Sequence, residues 1–127
     1  KRILKSIARH WFKIHKVKKI TYASGLYGHA YVKERKIHIP PPTTRKRMYI
    51  IAHELGHLAY NHISSKKRFI EEYEAERYAH NLMRQFHIKI PRPMTARAKR
   101  YVERKISQAR SRGLKAPVPR EINLWLR

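Results

Sequence analysis

The chain contains no cysteine and no aspartate. Without thiols it can form neither a disulfide nor a thiolate metal site, so any metal must be held by imidazole and carboxylate groups. Without aspartate, every acidic role falls to eight glutamates, which face 31 Lys and Arg and leave a net charge of +23. No apolar run approaches the roughly 18 residues that a membrane-spanning helix needs. No internal repeat is evident, and 127 residues suit one domain with one modest core. The chain begins at Lys1 rather than methionine, as a removed leader or a start inside a longer product would explain.

Against that background the pentapeptide His53-Glu54-Leu55-Gly56-His57 carries chemistry. An α-helix turns about 100° per residue, so His53 and His57 share a face and can bind one zinc ion. Glu54 then stands beside the metal, where a general base is needed to deprotonate the attacking water; the pattern is the zincin signature of metallopeptidases. From Met48 to Ala59 the segment is apolar nearly all round, which predicts a helix buried between a sheet and other helices. Gly56 costs such a helix about 1 kcal/mol relative to alanine. It lets another backbone come close to the site.

A second amphipathic pattern runs from Lys66 to His87, with Phe69, Tyr73, Ala75, Ala79, Leu82, Met83 and Phe86 at helical spacing. On a helical wheel Glu72 and Glu76 fall in the middle of that apolar face, Glu71 lies near its edge and Glu74 points the opposite way. A core-facing carboxylate is costly unless a metal, a cation or strong hydrogen bonds compensate it. Zinc supplies the reason: Glu72 is the candidate third ligand, and Glu76, one turn later, the acceptor for the other ring N–H of a ligand histidine. The alternative is a surface pair neutralised by Arg68, Arg77 and Arg84, which project from other parts of the wheel. His62 competes with Glu72 as third ligand. In zincins with three histidines the last usually lies six residues after the second, and here that position is Ile63.

HELGH followed by Glu72-Tyr73-Glu74-Ala75-Glu76-Arg77-Tyr78-Ala79 resembles the ImmA/IrrE type of zinc metallopeptidase, compact gluzincins whose second helix carries a pattern close to E-x-x-A-(D/N)-x-(F/Y)-A. The resemblance covers roughly residues 20 to 88. Glu76 departs from the more usual Asp or Asn, and the extra domains of larger members are not in this chain. The resemblance implies a zinc peptidase, and by analogy a repressor-like regulator as substrate. In zincins an edge strand above the active helix commonly holds the substrate. Here His29 to Lys33 and Lys36 to Ile39 flank Glu34-Arg35 as a predicted hairpin, ended by Pro40-Pro41-Pro42, and Lys36 to Ile39 is the candidate substrate strand. Thr43 or Thr44 caps the helix that follows. All eight tyrosines, Tyr49, Tyr60 and Tyr78 among them, and His80 are candidates for stabilising an oxyanion.

The basic surplus lies outside the second site helix. An N-terminal helix over Arg2 to Val17 has Ile3, Ile7, Trp11 and Ile14 as its core stripe. After Pro91-Arg92-Pro93, Thr95 is expected to cap a third helix ending at Gly113, with Ala98, Val102, Ile106 and Ala109 as a narrow stripe beside Tyr101. Arg97, Lys99, Arg100, Arg104, Lys105, Arg110 and Arg112 cover most of the rest. Such a surplus favours polyanions by counterion release, so these seven are candidate nucleic-acid contacts, RNA or DNA held through phosphates; an acidic protein or an anionic membrane also satisfies the charge. No helix-turn-helix, zinc-finger or RNA-recognition signature is evident. Ile122, Leu124, Trp125 and Leu126 make the proline-punctuated tail apolar enough to dock on a partner or on the chain itself.

The fold expected is α+β: a minimal zincin-like domain with an N-terminal helix, a small antiparallel sheet and two site helices over residues 1–91, then a basic helix and extended tail over 92–127, within the same unit or as an arm. The function expected is a zinc-dependent endopeptidase (Zn2+ on His53, His57 and Glu72, Glu54 as base, Glu76 behind the ligands). The alternative is a basic nucleic-acid or ribonucleoprotein component that keeps a zincin fold, with proteolysis secondary or lost. Either places the chain in the cytoplasm or with intracellular nucleic acid, and a removed leader leaves an organelle open.

Overall fold

The computed structural model describes residues 2–63 and 66–127. In chain order these form α1 (Arg2–Ile14), β1 (Lys19–Tyr22), β2 (His29–Tyr31), β3 (Lys36–Ile39), α2 (Arg45–Ala59), α3 (Arg68–Gln85), α4 (Arg92–Ser111) and α5 (Arg120–Leu126). The architecture is α+β, as expected. No described helix is long and apolar enough to cross a membrane.

Helix α2 is central because it has no polar face to give to water. Met48, Ile51, Ala52, Leu55 and Leu58 are buried along it and pack with Ile37 and Ile39 of the sheet, Ala8 and Trp11 of α1, and Ala79, Leu82 and Met83 of α3. Thr44 starts it: the Thr44 hydroxyl accepts the Arg47 N–H at 3.2 Å, satisfying one of the first-turn donors. At the other end Arg35, in a left-handed conformation in the hairpin turn, donates to the Leu58 carbonyl at 3.1 Å and to the His15 carbonyl. One guanidinium thus ties the hairpin to the ends of α1 and α2.

The sheet is mixed rather than wholly antiparallel, with order β1-β3-β2. The expected hairpin forms, pairing His29 with His38 and Tyr31 with Lys36. Strand β1 then adds parallel to β3, Lys19 opposite Lys36 and Tyr22 opposite Ile39. A period-two pattern reports which residues face the core but not strand direction, so alternation alone leaves this pairing open. Consequently Lys36–Ile39 is the central strand, with partners on both sides, and it cannot receive a substrate strand. That expectation is corrected: the edge strands are β1 and β2.

Two helix expectations also shift. In α1 the core stripe runs through Leu4, Ile7, Ala8, Trp11 and the buried His15, while Ile3 and Ile14 are exposed. Helix α4 begins at Arg92 rather than being capped by Thr95: Pro91 is its cap and Pro93 sits in the first turn, where a missing N–H costs nothing. It ends as foreseen near Gly113, whose positive φ of 101° lets Gly113 N–H bond the Arg110 carbonyl and Leu114 N–H the Ala109 carbonyl, both at 3.0 Å. That turn sends the chain back. The tail is therefore not extended; α5 docks on its own chain, and Val118 and Ile122 join Phe69, Val102 and Ile106 in a second small apolar cluster.

Between α2 and α3 the backbones nearly touch. A Cβ at Gly56 would lie 3.0 Å from Ala75 Cα and 3.2 Å from its carbonyl oxygen. Gly56→Ala is expected to destabilise the fold by roughly 1–3 kcal/mol in urea titrations, because separating two packed helices outweighs the gain of about 1 kcal/mol in helix propensity. A stabilised Gly56→Ala variant would show that the close approach is not a constraint.

Candidate metal centre and its cleft

Helix α2 places His53 and His57 one turn apart, and α3, held close by the Gly56 contact, brings Glu72 against both. His53 Nε2 and His57 Nε2 are 3.2 Å apart. Glu72 Oε1 lies 3.2 Å from the first and Oε2 3.2 Å from the second. One ligand atom from each of the three residues lies within 4.8 Å of the others. These are the three ligands expected from the sequence.

The outward nitrogens are engaged, which aims the inner ones. His53 Nδ1 lies 3.0 Å from Glu76 Oε1, and Tyr49 donates its hydroxyl to the same oxygen at 2.7 Å. His57 Nδ1 lies 2.9 Å from His62 Nδ1, and His62 Nε2 lies 2.8 Å from Glu74 Oε1, which also accepts from Lys66 Nζ at 2.9 Å. His62, the competing ligand, thus stands behind His57 rather than at the centre. Both Nε2 atoms thus face one buried carboxylate, whose two oxygens each lie 3.2 Å from a ring nitrogen. Two imidazoles and a carboxylate so arranged are a donor set able to hold a metal ion.

Two side chains differ from the wheel. Glu71, expected near the stripe's edge, is buried, and its Oε2 has no hydrogen-bond partner among the described residues. Arg68, expected to point away, lies 3.3 Å from Glu72 Oε2 and 4.0 Å from Glu71 Oε1. A wheel fixes where the Cα lies, but a long stem can run back along the helix to a charge.

Electrostatics follow from this crowding. Burial pushes Glu54 up to about 7 despite the opposing influence of His53. Burial also opposes charge on His53, yet the Glu76, Glu72 and Glu54 carboxylates hold it well above the ordinary imidazole value. Burial works against ionised Glu72 as well, but the hydrogen bonds and charges of His53 and His57 keep it well below the usual carboxylate range. The cluster demands positive charge, which a divalent cation carries.

The centre forms the floor of a cleft of about 600 Å³. One wall is the segment leading into β2, where Gly28 matters: a Cβ there would lie 3.0 Å from both Glu54 Cγ and the His38 carbonyl oxygen. Sequence reasoning passed over Gly28, although its scarcity was a signal, being one of only four glycines. The opposite wall is α4, contributing Arg97, Arg100, Tyr101 and Arg104. Tyr101, one of the eight candidate tyrosines, is brought to the cleft by α4. Four other oxyanion candidates are engaged elsewhere: Tyr49 with Glu76, Tyr78 with His15, His80 with the Glu76 carbonyl and Thr95, while Tyr60 stacks on His62.

The seven basic candidates of α4 do not share one surface. Arg97, Arg100 and Arg104 line the cleft, Lys105 and Arg112 line a separate hollow of about 350 Å³, Lys99 lies over the Trp125 ring, and Arg110 is exposed. Compared with protein-family models, curated proteins and solved structures, the chain matches none.

Zinc added to the chelator-treated chain should bind at one ion per chain. His53→Ala, His57→Ala and Glu72→Ala should each abolish tight binding in calorimetry, whereas His62→Ala should keep the stoichiometry and weaken affinity by about 10–100-fold, the usual effect of losing a group behind a ligand. Loss of the ion in His62→Ala with retention in Glu72→Ala would exchange the two assignments.

Proposed function

We propose that this chain is a zinc-dependent endopeptidase of ImmA/IrrE-like design. The observation that carries the reading is the convergence of His53, His57 and Glu72 at the floor of a cleft, with Glu54 beside them and a free strand edge along one wall. When bound there, zinc would polarise a substrate carbonyl and acidify a water molecule.

The chain's own groups supply the rest. Glu54 accepts the proton of the attacking water and passes it to the amide nitrogen as the C–N bond breaks; burial suits a carboxylate to both directions of transfer. Gly28 gives Glu54 room to do so, since any side chain there would displace it. Glu76, itself fixed by Tyr49, holds the His53 ring in the tautomer that leaves Nε2 free. Tyr101 is the cleft hydroxyl we assign to the developing oxyanion. The substrate backbone lies along β2. Ile39 gives its carbonyl to Ala23 on the β1 side, so alternation turns His38 and Lys36 toward β2 and leaves the N–H and C=O of Ala30 on the open edge.

The net charge of +23 supports a second property, phosphate-mediated binding to RNA or DNA outside the cleft, which would tether the enzyme near a regulatory protein. Lys105, Arg110 and Arg112, together with Lys99, remain its α4 candidates.

With zinc loaded, Glu54→Gln should retain the ion and the fold but lose about 10²–10⁴-fold in kcat on unstructured protein substrates, because an amide cannot take the proton. Tyr101→Phe should lose about 10²–10³-fold with KM nearly unchanged. A wild-type zinc-loaded chain that cleaves no peptide or protein would overturn the reading and leave the binding role.

A further inference from the structure

Helix α4 presents three arginines to the cleft in a line. Arg97, Arg100 and Arg104 follow at spacings of three and four, so they share a face and rise over about 10 Å. All three are exposed, and among the described residues none lies within ion-pair distance of a carboxylate. The reason is compositional: of the chain's eight acids, Glu54, Glu72 and Glu76 are buried at the floor and Glu71 is buried next to Glu72 on α3. The wall's positive charge therefore has no internal counterpart. Its partner must come with whatever enters.

On the proposed hydrolytic reading, we infer that the cleft selects acidic polypeptide: the substrate backbone lies on the open edge of β2 and carboxylate side chains at alternate positions reach Arg97, Arg100 and Arg104. The dimensions agree. Alternate side chains on one face of an extended strand are about 7 Å apart, and Arg100 and Arg104 are separated by about 6 Å along α4. Side-chain carboxylates also solve a conflict that a phosphodiester strand does not. The floor is itself rich in carboxylates, so anions carried on the backbone would be pressed against it, whereas side chains directed at α4 keep their charge on the wall. A strand edge offers backbone N–H and C=O groups, which a polypeptide matches residue by residue.

Three fluorogenic peptides of one sequence, with Glu, Gln or Lys at two alternate positions beside the cleavage point, test this on the zinc-loaded wild-type chain. The Glu peptide should be cleaved with kcat/KM roughly tenfold above the Gln peptide, mainly through KM and less so at high salt, as several exposed Arg–carboxylate pairs allow. Arg100→Glu/Arg104→Glu should invert the order in favour of the Lys peptide while keeping one zinc per chain. Fluorescence anisotropy with the same labelled peptides reads the wall without turnover. Preference for Glu in binding with no cleavage of any peptide would sustain the acidic wall and sink the peptidase reading. Cleavage with equal preference for Glu, Gln and Lys would overturn the inference and leave the peptidase standing. Displacement of the Glu peptide by a short RNA at far lower concentration, lost in Arg100→Glu/Arg104→Glu, would overturn it in favour of a nucleic-acid occupant.

Discussion

Removing a carboxylate from water costs several kcal/mol unless a positive group or good hydrogen bonds replace the hydration. This chain does so four times on two neighbouring helices, with Glu54 of α2 and Glu71, Glu72 and Glu76 of α3 all buried. The surrounding structure is organised to meet that demand. His53 and His57 face Glu72, Tyr49 donates to Glu76, Arg68 bends back along α3, and the His62–Glu74–Lys66 relay supports His57 from behind. A hydrophobic core alone would have no use for such groups. On the proposed reading, their concentration beside an open cleft suits a divalent cation and the hydrolysis it would support.

The two walls of the cleft divide the labour. The β2 side is backbone: a strand edge and a glycine that leaves Glu54 its space. The α4 side is side chain: arginines and a tyrosine on a helix face. On the proposed reading, one wall would hold any extended polypeptide by its main chain, and the other would discriminate among them.

The parts of this arrangement legible in the sequence are those fixed by helical geometry. His53 and His57 at four residues, Glu72 and Glu76 at four residues, and Thr44 before an apolar run each follow from the turn of a helix, and the structure places them accordingly. What stayed hidden depends on tertiary neighbours. Alternation in Lys19–Tyr22 does not say that it pairs parallel with Lys36–Ile39 and makes that strand central. His62 is as good a ligand by type as Glu72; only the fold turns its ring onto His57. Gly28 and Tyr101 lie outside any motif and enter the cleft because β2 and α4 happen to enclose it. The apolar tail announced that it would dock, but not that it would fold into α5 against Phe69 and Val102.

That docking makes the molecule two-tiered. His53, His57 and Glu72 stand on the larger apolar cluster around Leu55 and Met83, which also takes Met94 at the start of α4, while the later turns of α4 rest on the smaller one formed by Phe69, Val102, Ile106, Val118 and Ile122. Regions held by fewer buried contacts open at lower free energy than the whole fold. On the proposed reading, the later turns of α4 would open at lower free energy than the floor beneath them, admitting or releasing a chain while His53, His57 and Glu72 keep their registry. Mutations in that layer, far from the metal, would retune which chains enter and how fast they leave.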